Sequence, residues 1–339
     1  MDVDIPVEYC LSGNEADEID ALTAELRRRG EDPATAQFYD RCRTAAARMP
    51  RGLRSFVEDF RGTEPASAAL IHGFTVDDAA IGPTPTHWET SSGASTAPDQ
   101  ELQLALCGLL LGEPFAWATL QDSRLVQNIL PVPGDETCQN GYGSSALLEF
   151  HTEDGFHPDR CDYLLLLGVR NDDKVPTITA SVRNIELSAQ DRAILGQRRF
   201  EIMPDDEHVR QLEARAPGSP ALEKMRHLMH NPELAAVLFS DQVNPYLRID
   251  FPFMRCAGTD GAAEAALRNL MSELERAQRD VVVGPGTLLV IDNYLAVHGR
   301  RSFRARYDGT DRWLKKLTVS RDPRRGDAAG SAVGDRVRM

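Results

Sequence analysis

From about residue 68 onward, the chain carries short apolar runs separated by Pro, Gly, Asn and Asp. Runs of this length, bounded by turn-forming residues, predict β-strands rather than helices. Many short strands at irregular intervals restrict the core to a β-sandwich or a jelly roll. The runs are SAALIHGFTV, FAWATL, YLLLLGV, PTITASV, YLRIDF, TLLVIDN and WLKKLTVS.

Helical patterns precede and interrupt these strands. In EADEIDALTAELRRRG, the residues Ile19, Leu22 and Leu26 recur at helical spacing, and Gly30 is placed to end the helix. Further helices are predicted between the strands, in ELQLALCGLLLG, SAQDRAILGQ, PALEKMRHLMHNPELAAVL and DGAAEAALRNLMSELERAQ.

The domain organisation follows from these two patterns. No Ser/Gly/Pro-rich linker divides the β-rich part, so a single domain is expected over residues 1–325. Residues 1–65 are its helical flank, and residues 66–325 are a mainly β, jelly-roll core with helical inserts. The charged, small-residue-rich segment 326–339 predicts a poorly ordered tail.

The charge of the chain narrows the class of partner. A formal net charge of −14 and a pI near 5.1 oppose binding to nucleic acid or to an anionic membrane, since both require clustered cations. A small-molecule ligand is favoured. No apolar run approaches the ~18 residues of a spanning helix, and the N-terminus is acidic where a signal peptide is basic, so a cytoplasmic protein is expected.

The cysteines are scattered without a close pair, which argues against a zinc knuckle or a disulfide scaffold. Reduced thiols are expected, with a single reactive cysteine as the lesser alternative. The six are Cys10, Cys42, Cys107, Cys138, Cys161 and Cys256.

A candidate metal site begins in ALLEFHTEDGFHPDR, where His151 and Glu153 stand two apart at the end of an apolar run. On a strand, alternate side chains point to the same face, so both can reach one ion. His298 follows the later strand-like TLLVIDN. Two imidazoles and one carboxylate leave the coordination positions open that non-haem Fe(II) needs. The alternative is a strand-end histidine beside a solvated glutamate.

A basic strand follows this candidate site. Fourteen residues beyond His298, Arg312 opens RWLKKLTV, in which Arg312, Leu314 and Lys316 share one face by alternation. An arginine fork suits bidentate capture of a carboxylate, as a dicarboxylic cosubstrate would require. The alternative is an exposed basic strand edge that discourages aggregation.

Several of these segments together resemble a known family. They are DDAAIGPTPTHWET, FAWATLQDSRLVQNILPVPG, LEFHTEDGFHPDRCDYLLLLGVRN, MPDDEH and IDNYLAVHGRRSFRARYDGTDRWLKKLTVSRD. Over residues 70–325 the chain is similar to clavaminate-synthase-like oxygenases dependent on Fe(II) and 2-oxoglutarate. It is especially similar to bacterial free L-arginine hydroxylases of the viomycin and streptothricin pathways.

The resemblance implies a distorted double-stranded β-helix, with iron held by His151, Glu153 and His298. It also implies 2-oxoglutarate and dioxygen as cosubstrates, with Arg312 binding the distal carboxylate of 2-oxoglutarate and Thr177 assisting.

For a free amino-acid substrate, the resemblance places Gln121 and Glu153 near the α-ammonium. Ser144 is then the candidate hydrogen-bond donor to the α-carboxylate.

The chain departs from the arginine hydroxylases at two places. They carry an arginine four residues beyond the cosubstrate arginine, to grip the substrate carboxylate, where this chain has Lys316. A lysine offers a point charge instead of a fork. The viomycin-pathway enzyme also has two aspartates where PYLRIDFPFM supplies Asp250 and then Pro252. Asp205, in MPDDEH, is the candidate replacement, and Asp250 as an ordinary salt-bridged residue is the alternative.

Three other histidines are candidates for roles at or near the site. His157 is predicted to close over it as part of a lid, with a plain surface loop as an equal alternative. His227 and His230, three apart on a predicted helix, are expected to pack or face solvent rather than bind a second metal.

The sequence therefore predicts hydroxylation of a free amino acid in natural-product biosynthesis. L-arginine or a related guanidino amino acid is the first choice, at Cβ with Cγ as the second position. Lysine, citrulline and asparagine remain alternatives. Because Glu153 leaves no coordination position for halide, halogenation is disfavoured. The rival classes are a non-catalytic β-sandwich binding module and a zinc hydrolase.

Overall fold

The computed structural model describes residues 3–89, 95–241, 243–322 and 336–338. Its strands are β1 (Val7–Cys10), β2 (Ala68–His72), β3 (Glu113–Trp117), β4 (Gln127–Ile129), β5 (Leu148–His151), β6 (Tyr163–Arg170), β7 (Thr177–Ser181), β8 (Phe200–Ile202), β9 (Leu234–Ala235), β10 (Leu238–Phe239), β11 (Tyr246–Leu247), β12 (Met254–Cys256), β13 (Arg279–Val281), β14 (Thr287–Asp292), β15 (Ala296–Arg300), β16 (Trp313–Ser320) and β17 (Val337–Arg338).

Its helices lie before and between these strands. They are α1 (Gly13–Arg28), α2 (Ala36–Ala46), α3 (Arg51–Thr63), α4 (Asp78–Ile81), α5 (Pro98–Leu111), α6 (Ala189–Leu195), α7 (Asp206–Arg215), α8 (Pro220–His230) and α9 (Gly261–Ala277). No helix within the described ranges combines the length and apolar composition needed to span a membrane.

Two sheets form the centre of this mixed α/β fold. The larger has eight strands in the order β1-β2-β14-β6-β16-β3-β17, with β4 also paired to β16. The smaller has the order β13-β7-β15-β5. An apolar cluster joins them, because Val281 and Ala296 of the smaller sheet pack with Leu166, Leu289 and Leu314 of the larger one. The sheets therefore face each other across a common core.

Helices cover the outer faces of both sheets. On the larger sheet, one cluster joins residues of α1, α2, α3 and α5, such as Leu53 and Leu104, to strand residues such as Leu165 and Val290. On the smaller sheet, α6 and α9 pack over Ile178 and neighbouring residues. Burying apolar side chains in this way is the main contribution to stability.

Local sequence signals account for the helix boundaries. Ser12 caps α1 in a capping box with Glu15, in which each side chain binds the other's backbone N–H. Gly30 follows the helix with φ of +71°, a left-handed conformation that glycine adopts readily.

Two parts of the chain differ from the sequence prediction. The flank contains a strand, β1, which pairs in parallel with β2, in addition to its predicted helices. The predicted helix through PALEKMRHLMHNPELAAVL ends at His230, and the apolar residues beyond Pro232 form β9 and β10. An apolar run of this length fits either structure, and pairing with β8 and β11 decides.

Most of the predicted tail lies outside the described residues. Its residues 336–338 are described, and Val337 and Arg338 pair in parallel with β3. Within them, Arg338 packs over the Phe115 ring at 3.7 Å, and the poorly ordered tail stays a prediction.

Candidate active site

Three predicted metal ligands converge between the sheets. His151 ends β5, and His298 lies directly opposite it on the antiparallel neighbour β15, with ring centroids 4.2 Å apart. Glu153 follows His151 by two residues. One ligand atom from each residue lies within 4.8 Å of the other two, and no second group of this kind is found among the described residues. The predicted convergence is confirmed.

Hydrogen bonds orient these ligands. The Nδ1 atom of His151 lies 2.9 Å from the Glu149 carbonyl, which leaves Nε2 to a metal. The Nε2 atom of His298 is 3.4 Å from a Glu153 oxygen. Asn293 accepts from the Glu153 N–H at 2.7 Å and donates to its carbonyl at 3.0 Å, which fixes the backbone of the carboxylate ligand.

The charge states suit a divalent ion. Burial, with His298 adjacent, lowers the pKa of His151 to about 3, so its imidazole is neutral. Burial alone would raise the pKa of Glu153, but the Lys316 ammonium and the His298 imidazole hold it well below its ordinary value. Neutral imidazole and ionised carboxylate are the forms that bind iron.

The ligands open into a cavity that residues of both sheets line. One end is basic. Arg312 is buried there and donates from Nη2 to Thr177 at 3.0 Å, while its Nε has no partner within the described part of the chain. Burial, with Arg300 nearby, lowers its pKa to about 9, so it stays charged at neutral pH. A buried guanidinium with an unsatisfied donor is suited to a carboxylate.

Arg300 also lines this end but serves the backbone. Its guanidinium donates to the carbonyls of Gly143 and Ala146, the latter at 2.9 Å. It therefore secures the loop before β5 and contributes positive charge. Arg300 is not among the residues predicted from the sequence, although it stands two residues after His298, and alternation along a strand places both on one face.

The opposite end of the cavity is acidic. Asp205, Glu207 and Asp250 line it. Burial raises the pKa of Asp250 well above its ordinary value, and the carboxylates of Asp205 and Glu153 add to the rise. Burial likewise raises the pKa of Asp205. Carboxylates crowded in a buried space favour a cationic ligand, because it relieves their repulsion and replaces lost solvation.

Three predicted site residues lie outside the cavity lining. The Gln121 amide is fully buried, where it donates to Asn128 and Tyr142 and accepts from the Asn128 N–H. Gln127, on β4, lines the cavity instead. The roles predicted for Gln121, Ser144 and His157 are therefore not supported by their placement.

Ser144 is 1% exposed, its backbone is bonded to Glu136 and Phe303, and its hydroxyl lies against the Tyr307 phenol. It is not among the residues that line the cavity, and its contact with the substrate carboxylate stays a prediction.

His157 packs its ring on Trp117, with centroids 4.8 Å apart, and its Nδ1 accepts from the Asp159 N–H. It does not line the cavity, and its role in a lid stays a prediction. His227 and His230 are exposed, as expected. All six cysteines are free thiols, which also agrees with the prediction.

Known proteins of similar sequence and structure agree with this site. No family model matches the sequence. Enduracididine β-hydroxylase from Streptomyces hygroscopicus is 38% identical over 330 residues, which cover 94% of this chain and 96% of that protein. L-ornithine/L-arginine 3-hydroxylase from Catenulispora acidiphila is 39% identical over 301 residues, which cover 86% and 88%.

Among solved structures, the non-haem iron oxygenase OrfP in complex with iron, succinate and (3S)-hydroxy-L-arginine is similar with a TM-score of 0.91. Its sequence is 36% identical, and the match covers 98% of this chain and 99% of that one. Relatives of this identity over nearly their whole length share the family as well as the fold. The chain therefore belongs to the clavaminate-synthase-like family of oxygenases and is an amino-acid hydroxylase that uses non-haem iron and 2-oxoglutarate.

Proposed function

We propose that the enzyme hydroxylates Cβ of a free guanidino amino acid, L-arginine or a cyclised relative, with Cγ as the second position. The observation that carries this proposal is the pair of carboxylates, half-buried Asp205 and buried Asp250, that line the cavity with the metal ligands. A guanidinium is the cation whose planar donors suit two carboxylates at once. The relatives named above act on enduracididine, ornithine or arginine, which supports the same class of substrate.

For the fold we propose the distorted double-stranded β-helix of this family, formed by the two facing sheets. Its value to the reaction is that β5 and β15, which carry the two histidines, are hydrogen-bonded neighbours.

The basic end is assigned to the cosubstrate. When bound at His151, Glu153 and His298, iron with 2-oxoglutarate supplies activation of dioxygen for hydroxylation of an unactivated C–H bond. Arg312 receives the distal carboxylate of 2-oxoglutarate, and Thr177 holds the guanidinium in place through the 3.0 Å hydrogen bond. Burial of Arg312 strengthens this charge-assisted contact.

The amino-acid end of the substrate is assigned to Lys316 and Glu153. The Lys316 Nζ contacts a Glu153 oxygen, so an ammonium and a carboxylate stand side by side. This is the complement of a zwitterion, whose α-carboxylate would meet Lys316 and whose α-ammonium would meet Glu153. Anchoring both groups beside the metal brings Cβ nearest to it, which favours hydroxylation there.

Lysine is the second candidate substrate, because two carboxylates also receive an ammonium. Neutral citrulline and asparagine are disfavoured by the same pair, since they would leave the two acidic groups crowded and unneutralised. We assign the reaction to natural-product biosynthesis, as the enduracididine relative suggests.

The test is a substrate panel. The purified enzyme with Fe(II), 2-oxoglutarate and air is given L-arginine, L-homoarginine, L-lysine, L-citrulline and L-asparagine. We expect succinate formation coupled to gain of one oxygen atom with arginine first, and NMR to place the hydroxyl at Cβ. Citrulline is the matched control, since it has the shape of arginine without the charge. Coupled turnover with citrulline or asparagine alone would overturn the proposal.

A further inference from the structure

We infer that His208 is a positioning residue that fixes Asp205 relative to the metal ligand Glu153, and so sets how well the cationic end of the substrate is held. The inference rests on the proposed function and deepens it, because it names what holds the Asp205 carboxylate in place for the substrate. His208 lies near the start of α7, three residues after Asp205, and its side chain is 1% exposed.

The imidazole joins three separate segments. Its Nδ1 lies 2.5 Å from the Thr119 hydroxyl, and its Nε2 lies 3.5 Å from Oδ1 of Asp154. The other oxygen of Asp154 accepts from the Trp117 indole N–H at 2.6 Å. The segment at the end of β3, the loop after β5 and α7 are thus tied together inside the protein.

Asp154 is the residue through which this contact reaches the metal centre. It directly follows Glu153 and has φ of +53°, a left-handed conformation that an aspartate adopts at some cost. The bonds from Trp117 and His208 hold it there. Since the peptide joining the two residues is planar, these bonds also help to fix the main chain from which the Glu153 side chain projects.

The backbone of His208 reaches the substrate end. Its N–H donates to Oδ1 of Asp205 at 3.2 Å, and the Glu207 N–H donates to the same oxygen at 3.0 Å. Asp205 is therefore the N-cap of α7. Both bonds use Oδ1, which leaves Oδ2 available to a ligand. One residue thus holds Asp205 by its main chain and Asp154 by its ring.

Charge strengthens the arrangement. Burial lowers the pKa of His208, and Lys316 lowers it further, but the carboxylates of Asp205 and Asp154 outweigh both and hold it above its ordinary value. The two carboxylates that the residue contacts therefore favour its protonated form.

Simple packing is the rival explanation, since His208 also meets the Phe156 ring edge-on at 5.1 Å. If the ring only fills space, an apolar residue of similar size should replace it without effect on the substrate. If it positions Asp205, a side chain that keeps a donor towards Asp154 should be needed.

The experiment compares His208→Leu, His208→Gln and His208→Asn, with His227→Leu on the exposed face of α8 as the matched control. Glutamine can reach Asp154 with an N–H, whereas asparagine is too short. We expect Leu and Asn to weaken arginine binding roughly tenfold to a hundredfold, the range for losing a hydrogen bond to a charged group. Glutamine should restore most of the affinity. The 2-oxoglutarate KM should stay unchanged.

Arginine binding is measured by calorimetry under nitrogen, beside the visible band of the ferrous 2-oxoglutarate complex and the ratio of succinate to hydroxylated product. Extra succinate per product in the Leu and Asn variants supports the inference. If the Leu variant does not fold, the Gln and Asn pair decides. Wild-type affinity in the Asn variant overturns the inference and leaves the proposed function standing. A wild-type enzyme that binds no cationic amino acid overturns both.

Discussion

The two ends of the cavity are built from different kinds of structure. The metal and cosubstrate end lies on or beside central strands, with His298 on β15, Thr177 on β7 and Arg312 next to β16. The cationic end lies at element boundaries, with Asp205 capping α7 and Asp250 in an isolated bridge to His151. Hydrogen-bonded strands hold side chains more rigidly than caps and loops do. An enzyme built in this way can change which substrate side chain it accepts without moving its metal centre.

Among these variants, loss of a metal ligand should have the largest effect on activity. We expect His298→Ala to reduce hydroxylation to background, because two ligands of three do not hold Fe(II) against water. The visible band of the ferrous 2-oxoglutarate complex should vanish as well. His230→Ala, an exposed histidine on α8, is the control and should behave as wild type. If the band survives in the His298→Ala variant, His298 does not hold the metal.

Asp250→Asn tests the opposite end. Breaking one partner of a buried charge pair costs about 2–5 kcal/mol, so we expect the arginine KM to rise by roughly 30-fold or more. The 2-oxoglutarate KM should not change. Because the pKa of Asp250 is raised, its carboxylate becomes protonated as the pH falls. The arginine affinity of the wild-type enzyme should therefore fall towards acid pH. The Asn variant should show less of this dependence. Steady-state kinetics at several pH values would check both, and an unchanged arginine KM would remove Asp250 from the substrate site.

Arg312→Lys, at the basic end, should weaken binding of 2-oxoglutarate and leave binding of arginine unchanged. A lysine keeps the charge but not the fork, and a hydrogen bond to a charged group contributes about 1.5–3 kcal/mol. We expect the 2-oxoglutarate KM to rise roughly tenfold to a hundredfold, while arginine affinity at saturating cosubstrate stays constant. Arg301→Lys, whose side chain pairs with Asp280 at the surface, is the matched control. A shift in arginine affinity alone would reverse the assignment of the two ends.

Lys316→Arg should have the smallest effect, since it lies where the two ends meet. Replacing a point charge by a fork would let the substrate carboxylate bind bidentately, a gain of about 1 kcal/mol. The arginine KM should fall about fivefold in kinetics that leave 2-oxoglutarate saturating. A rise instead would mean that the added bulk disturbs Glu153, which Lys316 contacts.

The sequence predicted the strand-borne part of the site better than the rest. His151, Glu153 and His298 were found because alternation along a strand and apolar runs are local signals. Gln121 is predicted near the substrate, whereas Gln127 lines the cavity, and the turn at Gln121, Asp122 and Ser123 has positive φ at all three residues. Three successive left-handed residues without glycine have no sequence signature.

The contacts of α7 were missed for a related reason. MPDDEH predicted Asp205 at the site, but nothing in the sequence pairs His208 with Asp154, which is 54 residues earlier in the chain. Such pairs depend on tertiary packing. The sequence also does not predict that β1 pairs in parallel with β2, or β17 with β3, because these pairings join segments that are distant in the chain.

Those two short strands occupy the outermost positions of the eight-stranded sheet, β1 at one side and β17 at the other. Each is short, so it leaves few main-chain N–H and C=O groups open to another molecule. Without these strands, β2 and β3 would each present a longer row of unpaired groups. Trimming residues 7–10 or 336–338 should therefore promote intermolecular association of the protein before it disturbs the metal centre.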